Sequence, residues 1–139
     1  AEADLNGVGG NIRFLGLVSD SELERAFRAC DVHAFPVQHI PGDPEGFGMV
    51  AVEAAAHGLP TVAYATGGVV DAVAEGQSGY LIAPGDAAAM AAAIIKALSQ
   101  RDSMRATCKA FAAGKAWPIF GEQVASNLFP PDAMAASRS

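Results

Sequence analysis

Short apolar segments alternate with helix-like segments along most of the chain, and this alternation restricts the fold more than any other feature of the sequence. Four runs have the length and composition of strands: 11–16, 32–37, 61–65 and 80–83. Segments with helical character fall at about 19–30, 47–57, 69–75, 86–99, 101–113 and 117–129. Such alternation is typical of βα units and a mostly parallel sheet. We therefore predict an α/β fold, a Rossmann-like parallel sheet of about four strands with about six flanking helices.

The length of the chain fits a single domain with its own core. It contains 139 residues, of which 51% are hydrophobic, and this is enough to bury a sizeable apolar interior. Residues 1–129 carry the alternating pattern and are assigned to this domain. Residues 130–139 show no pattern, and we expect them to form a frayed tail.

Charge and cysteine content argue against several classes of protein. The formal net charge is −6, the opposite of the basic surface that binds nucleic acid. No apolar run reaches the roughly 20 residues that span a bilayer, so we expect no transmembrane segment. Cys30 and Cys108 stand apart without the spacing of a metal site. We predict buried, reduced thiols in a cytoplasmic protein without a metal or a cofactor.

A single acidic residue interrupts the predicted helix 47–57. From Met49 to Ala56 the only polar side chain is Glu53, and alanine and valine surround it. A helix that is apolar on all sides is a buried helix, and a carboxylate on such a helix needs a partner. Two interpretations follow: either Glu53 binds something, or it faces water through a gap in the packing.

A second acid and two glycines lie at the start of this helix. Glu45 precedes Gly46 and Gly48, whose lack of a side chain lets a ligand approach the backbone. The helix N-terminus between the two acids attracts anions, and we expect it at the carboxyl edge of the sheet. Eight residues of helix span roughly 12 Å. This arrangement predicts a nucleotide-sugar site, with Glu45 for the sugar hydroxyls, the 46–50 amides for the phosphates and Glu53 for the ribose hydroxyls.

The segment EGFGMVAVE, residues 45–53, resembles the E-x7-E signature of retaining glycosyltransferases with the GT-B fold, family 4 in type, which include enzymes of polysaccharide biosynthesis. The preceding FLGLVSDSELERAFRACDVHAFPV and the following HGLPTVAYATGGVVDAVAEGQSGYLIAPGD resemble the segments that flank this signature. The resemblance covers about residues 11–128 in the family's order. It implies that residues 1–129 are part of a C-terminal, nucleotide-sugar-binding domain. Such enzymes transfer a sugar from a nucleotide-diphospho-sugar to an acceptor hydroxyl with retention of anomeric configuration.

The resemblance also implies roles for particular residues. Glu45 matches the family's sugar-contacting acid and is the catalytic position, while Glu53 matches the ribose-contacting acid. Val18 falls where the family meets the nucleobase. Backbone amides that meet the donor sugar and diphosphate are implied for Phe47, Gly48, Met49 and Val50. Gly67 and Gly68 either bind the donor, near which the family places them, or simply form a turn.

No lysine or arginine occurs between Arg28 and Lys96. Transfer from a nucleotide-sugar expels a diphosphate, and its growing negative charge must be stabilised. In the family an arginine and a lysine do this from an earlier part of the same domain. We therefore expect a chain that is truncated on its N-terminal side and inactive by itself. We also expect a gap, a repaired pairing or a partner between strands 11–16 and 32–37.

The resemblance implies two partners. One is the nucleotide-diphospho-sugar donor, and the other is a glycan, lipid or small-molecule acceptor bound by an N-terminal domain that this sequence lacks. The full-length protein is then cytoplasmic, or peripheral on the inner face of the membrane. A non-catalytic nucleotide-sugar-binding or interaction module is the alternative interpretation. A dinucleotide-binding dehydrogenase is disfavoured because no G-x-G-x-x-G follows a strand.

Overall fold

A parallel sheet with flanking helices forms the described part of the chain. The computed structural model describes residues 6–38 and 48–116. Its three strands lie in the order β1 (His33–Phe35), β2 (Thr61–Tyr64) and β3 (Gly79–Ile82). The α-helices are α1 (Asp20–Ala29), α2 (Met49–Ala56), α3 (Val69–Ala72) and α4 (Ala87–Ala113). The predicted α/β class with a parallel sheet is confirmed.

β2 is the central strand and is buried along its whole length. Val62 and Ala63 have no exposed surface. β1 pairs along one edge of β2 and β3 along the other, so that Thr61 stands opposite both His33 and Gly79. A parallel strand that is covered on both faces is a continuous apolar run. The sequence TVAY has this character, which explains why β2 forms where the pattern predicts a strand.

α2 is the buried helix that the sequence predicts at 47–57. Four of its eight residues are buried: Ala51, Val52, Ala54 and Ala55. The small alanine side chains allow α2 to pack closely against α4 and the sheet. The helix ends at Ala56, with His57 as its C-cap, because Gly58, with a φ of +78°, turns the chain out of the helical path. Phe47 lies outside the described residues.

One long helix, α4, replaces the two helices predicted at 86–99 and 101–113. It continues without a break for 27 residues. The junction contains no glycine or proline, and the hydroxyl of Ser99 donates to the carbonyl of Lys96 at 2.7 Å within the helix. The buried residues keep to one side through both halves: Met90, Ala93, Ala97, Met104, Cys108 and Ala112. The prediction of two helices is wrong because one apolar stripe runs through both segments.

The predicted strand 11–16 does not form among the described residues. A 3-10 helix, Gly9–Asn11, overlaps its start, and residues 12–16 pair with no strand. The side chain of Phe14 is 84% exposed. A strand needs a neighbour for its N–H and C=O groups, but within residues 6–38 and 48–116 the outer edge of β1 has no partner strand. The prediction of about four strands is therefore wrong by one, and without a strand at 11–16 the structure does not test the predicted gap between 11–16 and 32–37.

One smaller difference concerns the end of α3. α3 ends at Ala72, short of the predicted Glu75, because Glu75 forms an isolated bridge with Gly79. The carboxylate of Glu75 also accepts a hydrogen bond from the N–H of Leu81 at 2.9 Å. The predicted helix 117–129, and the predicted end of the domain after it, lie outside the described residues.

The two cysteines differ in their surroundings, and both are free thiols. Cys108 is buried as predicted, and burial raises the pKa of its thiol to about 11, so that it stays protonated near neutral pH. Cys30 is exposed, so the prediction of burial is wrong for this residue. α1 ends at Ala29 and the backbone becomes extended at Cys30. The side chain of Cys30 therefore does not lie on the buried face of the helix. None of the described helices is both long enough and apolar enough to cross a membrane.

His33 of β1 lies in a group of aromatic rings beside the open edge of the sheet. Its ring is edge-on to Phe27 of α1, with centroids 6.2 Å apart, and stacks on Phe35 at 5.6 Å. Its Nδ1 is 3.1 Å from the hydroxyl oxygen of Thr61. Burial among these groups lowers the pKa of the imidazole below its usual value of 6.5.

We expect the free energy of unfolding to decrease as the pH falls below 6.5 because of His33. In that window the unfolded chain binds a proton that the folded chain excludes, so stability rises with pH. This contribution is complete above the unfolded pKa and is lost as the pH falls toward the folded pKa. Urea unfolding across the window measures the slope, which should shrink in His33→Phe, a variant with an aromatic ring that cannot titrate. The same slope in that variant would exclude His33 as its source.

Candidate functional site

The N-terminus of α2 lies at the carboxyl edge of the sheet. Gly48 precedes the helix in the left-handed region, with φ of 71° and ψ of 42°. It lies beside α3: a Cβ at this position would be in van der Waals contact, 3.4 Å from Val69 Cγ2 and 3.5 Å from Ala72 Cβ. The ring of Phe35, the last residue of β1, would lie 3.6 Å from the same Cβ. The start of α2 is therefore found where β1 and β2 end, the location predicted from the sequence.

The first turn of α2 presents backbone amides at this edge. The N–H of Ala51 donates to the carbonyl of Gly48 at 2.9 Å. The N–H groups of Met49 and Val50 come before this first bond of the helix and have no intrahelical acceptor. Met49 is 46% exposed, and no side chain of the N-cap residue covers the helix end. These amides, with the helix dipole behind them, are suited to an anion.

Gly67 and Gly68 form the turn from β2 into α3 at the same edge. Gly67 is exposed and has a φ of +49°, a conformation that glycine adopts readily. Just before the turn, the hydroxyl of Thr66 donates to the carbonyl of Val37 at 3.4 Å, which joins the chain after β2 to the chain after β1. Because α3 packs against Gly48, the structure brings three of the four predicted glycines, Gly48, Gly67 and Gly68, to one edge of the sheet.

Val18 lies beside the N-terminal cap of α1. The backbone N–H of Ser19 donates to Glu22 Oε2 at 2.9 Å, and the Ser19 hydroxyl donates to the same oxygen at 2.7 Å. These two hydrogen bonds lower the pKa of the Glu22 carboxyl, the backbone one having the larger effect. Val18 itself is half-buried. Val18 lies two residues before α1, and residues of α1 line a groove together with Glu53.

An open groove of about 230 Å³ runs between α1 and α2, and we call it the α1–α2 groove. Its lining residues are Asp20, Leu23, Glu24, Phe27, Glu53 and His57. Glu53 is exposed on its wall. Of the two interpretations left open for this residue, the structure thus shows an exposed carboxylate, and the space that it faces is the α1–α2 groove.

The lining of the α1–α2 groove is acidic. Three of its six residues carry a carboxylate, and none is a lysine or an arginine. One of the three, Glu24, already accepts a hydrogen bond from Arg28 at 2.5 Å. Ionised carboxylates only accept hydrogen bonds, so the groove suits hydroxyl and N–H groups and repels phosphate. The N-terminus of α2, in contrast, favours an anion such as phosphate.

Phe27 and His57 separate the groove from the interior, and the sequence did not predict either of them for the site. Phe27 is 9% exposed and packs against Ala54 and Leu59. Its ring stacks on the ring of His57, with centroids 5.5 Å apart and planes 16° from parallel. The spacing of Leu23 and Phe27 on α1 indicates one apolar face. That spacing was the available signal, but it does not show that α2 covers this face.

The remaining predicted site residues lie outside the described part of the chain: Glu45, Gly46 and Phe47. Their roles remain predictions. Among the residues that the structure does describe, no group of three or more histidine, cysteine, aspartate or glutamate side chains could hold a metal ion. The described site therefore consists of a helix N-terminus, a glycine turn beside it and an acidic groove along the next turn of the helix.

Comparisons with known proteins agree on one family. Residues 1–114 match the family model described as Glycosyl transferases group 1. A D-inositol 3-phosphate glycosyltransferase from Geodermatophilus obscurus is 39% identical over 111 residues, which are 80% of this chain and 24% of that protein. The chain therefore spans about a quarter of the length of this curated relative.

Solved structures show the same likeness in three dimensions. Sucrose-phosphate synthase from Thermosynechococcus elongatus matches with a TM-score of 0.72 and 28% identity, over 92% of this chain and 33% of the other. HepE from Anabaena, solved in complex with UDP, matches with a TM-score of 0.73 and 27% identity, over 91% of this chain and 34% of the other. This chain is equivalent to about a third of each of these proteins.

Proposed function

Since the chain belongs to the Glycosyl transferases group 1 family, we propose that it forms part of the donor site of a retaining, family 4 glycosyltransferase. The whole enzyme transfers a sugar from a nucleotide-diphospho-sugar to an acceptor hydroxyl with retention of anomeric configuration. The observation that carries this proposal is the acidic α1–α2 groove next to an anion-binding helix N-terminus. HepE, a structural neighbour, is described in complexes with UDP and with UDP-glucose.

The two halves of the described site are close enough to hold one nucleotide. Met49 and Glu53 are four residues apart on α2, so they share a face and lie roughly 6 Å apart along the axis. The ribose hydroxyls and the first phosphate of a nucleoside diphosphate are separated by a similar distance. Glu53 accepts hydrogen bonds from the ribose hydroxyls, and the amides of Met49 and Val50 donate to the phosphates.

The other predicted residues extend this arrangement in both directions. Val18, at the start of the α1 wall, contacts the nucleobase. Glu45 is the catalytic residue and contacts the transferred sugar, together with the amides of Gly46, Phe47 and Gly48. The turn of Gly67 and Gly68 borders the diphosphate, because α3 holds this turn beside the start of α2. The E-x7-E spacing then places one acid on each side of the phosphates.

The leaving diphosphate needs positive charge that the described site does not provide. No basic residue lines the α1–α2 groove, and the sequence has no lysine or arginine between Arg28 and Lys96. We infer that the basic residues of the reaction lie outside residues 6–38 and 48–116. The acceptor, a glycan, lipid or small molecule, binds another domain of a cytoplasmic or inner-membrane-associated enzyme. The 139-residue chain then binds a nucleotide without turning over a nucleotide-sugar.

The acidic lining also favours a second candidate, a nucleotide-sugar-binding module without catalytic activity. Both candidates predict nucleotide binding at Glu53, and they differ in whether the protein transfers a sugar. A transfer assay on the complete enzyme separates them, with Glu45→Ala as the test variant. Sugar transfer that is lost in this variant supports the enzyme, whereas donor binding without any transfer by the unsubstituted protein supports the module.

We expect calorimetric titration with UDP, GDP and ADP to show binding of one of them, weakened in Glu53→Ala by roughly 10- to 100-fold. Charge-assisted hydrogen bonds to the ribose are lost in this variant. Asp102→Ala is the matched control, because it removes an exposed carboxylate from α4 outside the groove. This control should bind like the unsubstituted chain.

A modified nucleotide shows whether the ribose is the group that Glu53 holds. The 2′,3′-dideoxy form of the bound nucleotide should bind weakly, and with the same affinity to the unsubstituted chain and to Glu53→Ala. Two results contradict the proposal: a folded chain that binds none of the three nucleotides, or a Glu53→Ala variant that binds as well as the control.

A further inference from the structure

His57, at the end of α2, lines the α1–α2 groove together with Glu53, and the function proposed above gives it no task. The backbone N–H of His57 is shared between the carbonyls of Glu53, at 3.3 Å, and Ala54, at 3.1 Å. The bond to Glu53 joins residues i and i+4, and the backbone of His57 is in the right-handed helical region, so helical geometry continues as far as His57. The two side chains therefore project from the same face of α2, one turn apart.

The position of the His57 ring is restricted by the α1–α2 packing. Its face lies against Phe27, with centroids 5.5 Å apart, and Phe27 is fixed in turn by Ala54 and Leu59. Stacking occupies the face of the imidazole and leaves its edge, with the two nitrogens, for a polar partner. At least one ring nitrogen always carries a proton, so the ring can donate a hydrogen bond.

Glu53 is the best acceptor for that hydrogen bond. The other carboxylates of the groove, Asp20 and Glu24, lie across it on α1, and Glu24 is already bound to Arg28. On its other side the ring borders a small cleft lined by Arg28, Asp31, Arg101 and Arg105, where Asp31 is paired with Arg101. Among residues 6–38 and 48–116 neither the His57 ring nitrogens nor the Glu53 carboxylate has a hydrogen-bond partner.

We propose that His57 is a positioning residue for Glu53: when a nucleotide binds, the His57 ring N–H donates to the Glu53 carboxylate and holds it in the conformation that accepts the ribose hydroxyls. This inference depends on the proposed function. An exposed glutamate loses rotamer freedom when a ligand orders it, and this loss weakens binding. A donor that is itself fixed by Phe27 offsets part of this loss, because its ring needs little further ordering when it bonds to the carboxylate.

Two substitutions separate hydrogen bonding from packing. His57→Gln keeps an N–H donor and loses the aromatic stack, whereas His57→Phe keeps the stack and loses the donor. We expect His57→Phe to bind the nucleotide identified by titration (UDP, GDP or ADP) roughly 2- to 10-fold more weakly than the unsubstituted chain. His57→Gln should bind more tightly than His57→Phe. The reverse order, or no difference between them, would mean that His57 acts only through its packing.

The combination with Glu53→Ala shows whether His57 acts through Glu53. If it does, His57→Phe has no further effect on affinity once Glu53→Ala is present, because no carboxylate is left to position. Equal losses with and without Glu53 overturn the inference and leave the proposed function intact. Absence of nucleotide binding by the unsubstituted chain overturns the proposed function, and the role of His57 with it. Thermal unfolding of each variant verifies that the compared chains are folded.

Discussion

The Gly79→Ala variant is expected to lose more than about 4 kcal/mol of unfolding free energy, a loss large enough to leave much of the chain unfolded. Gly79 stands opposite Thr61 in the β2–β3 ladder. A Cβ on Gly79 would lie 1.8 Å from the carbonyl oxygen of Thr61 and 2.7 Å from its carbonyl carbon. These are backbone atoms of the central strand, and Thr61 also stands opposite His33 of β1. Moving them would disturb both pairings of β2 at once.

Circular dichroism and urea unfolding of Gly79→Ala measure this effect. Gly10→Ala is the control, since no atom lies within 4 Å of a Cβ there and the φ of Gly10 is not positive. We expect the control to stay within about 0.5 kcal/mol of the unsubstituted chain, as surface substitutions usually do. Unfolding of Gly79→Ala at the same urea concentration as the control would contradict the close pairing of β3 with β2.

The free energy of unfolding of the Gly58→Ala variant is expected to decrease by about 2–4 kcal/mol, from two causes that act together. Gly58 has a φ of +78°, a conformation that costs alanine energy. In addition, its Cβ would lie 2.8 Å from Arg105 Cγ and 3.3 Å from the Arg105 carbonyl oxygen. The end of α2 would have to move away from α4, and the two helices would lose part of their contact.

Gly76→Ala separates the two causes, because Gly76 has a φ of +70° and no atom lies within 4 Å of a Cβ there. The decrease in the unfolding free energy of Gly76→Ala measures the cost of the backbone conformation alone, about 1–2 kcal/mol. The difference between the two variants in chemical denaturation is then the cost of separating α2 from α4. Identical losses would show that Arg105 moves aside freely and that the close contact has no energetic weight.

The parts of the fold that the sequence predicted correctly are those decided by local pattern. β2 and β3 are short apolar runs between turns, and the buried helix α2 is apolar on all sides and ends at a glycine. These elements bury the same side chains whichever neighbours they meet. Their type and approximate position therefore depend on composition and periodicity more than on tertiary contacts.

The incorrect predictions concern features that depend on neighbours. The segment 11–16 has the composition of a strand, but strand formation requires a paired edge, and the described residues supply none. The segments 86–99 and 101–113 were predicted as two helices, which meet at the polar stretch 99–101. In α4 that stretch stays helical, because Met104 and Cys108 continue the buried side begun by Met90.

The sequence predicts the order of strands, turns and helices that carry the candidate site, but it does not predict which of these elements pack against each other. The positions of Gly48 and Glu53 on α2, and of the Gly67–Gly68 turn, follow from the succession of strand, turn and helix. The α1–α2 groove requires knowledge of which helix packs beside α2, and no short-range pattern contains this. His57 and Phe27 come together across 30 positions of sequence, and only the fold shows that their rings are stacked.

The length of α4 has a consequence for how this chain loses its structure. At 1.5 Å per residue its 27 residues extend over roughly 40 Å. Lys96 and Gln100 meet the ring and hydroxyl of Tyr80 in β3, while Arg105 borders Gly58 at the end of α2. The helix α4 thus contacts both β3, at the edge of the sheet, and α2, which forms one wall of the α1–α2 groove. The groove and the sheet should form one cooperative unit, in which partial melting of either exposes the same buried stripe.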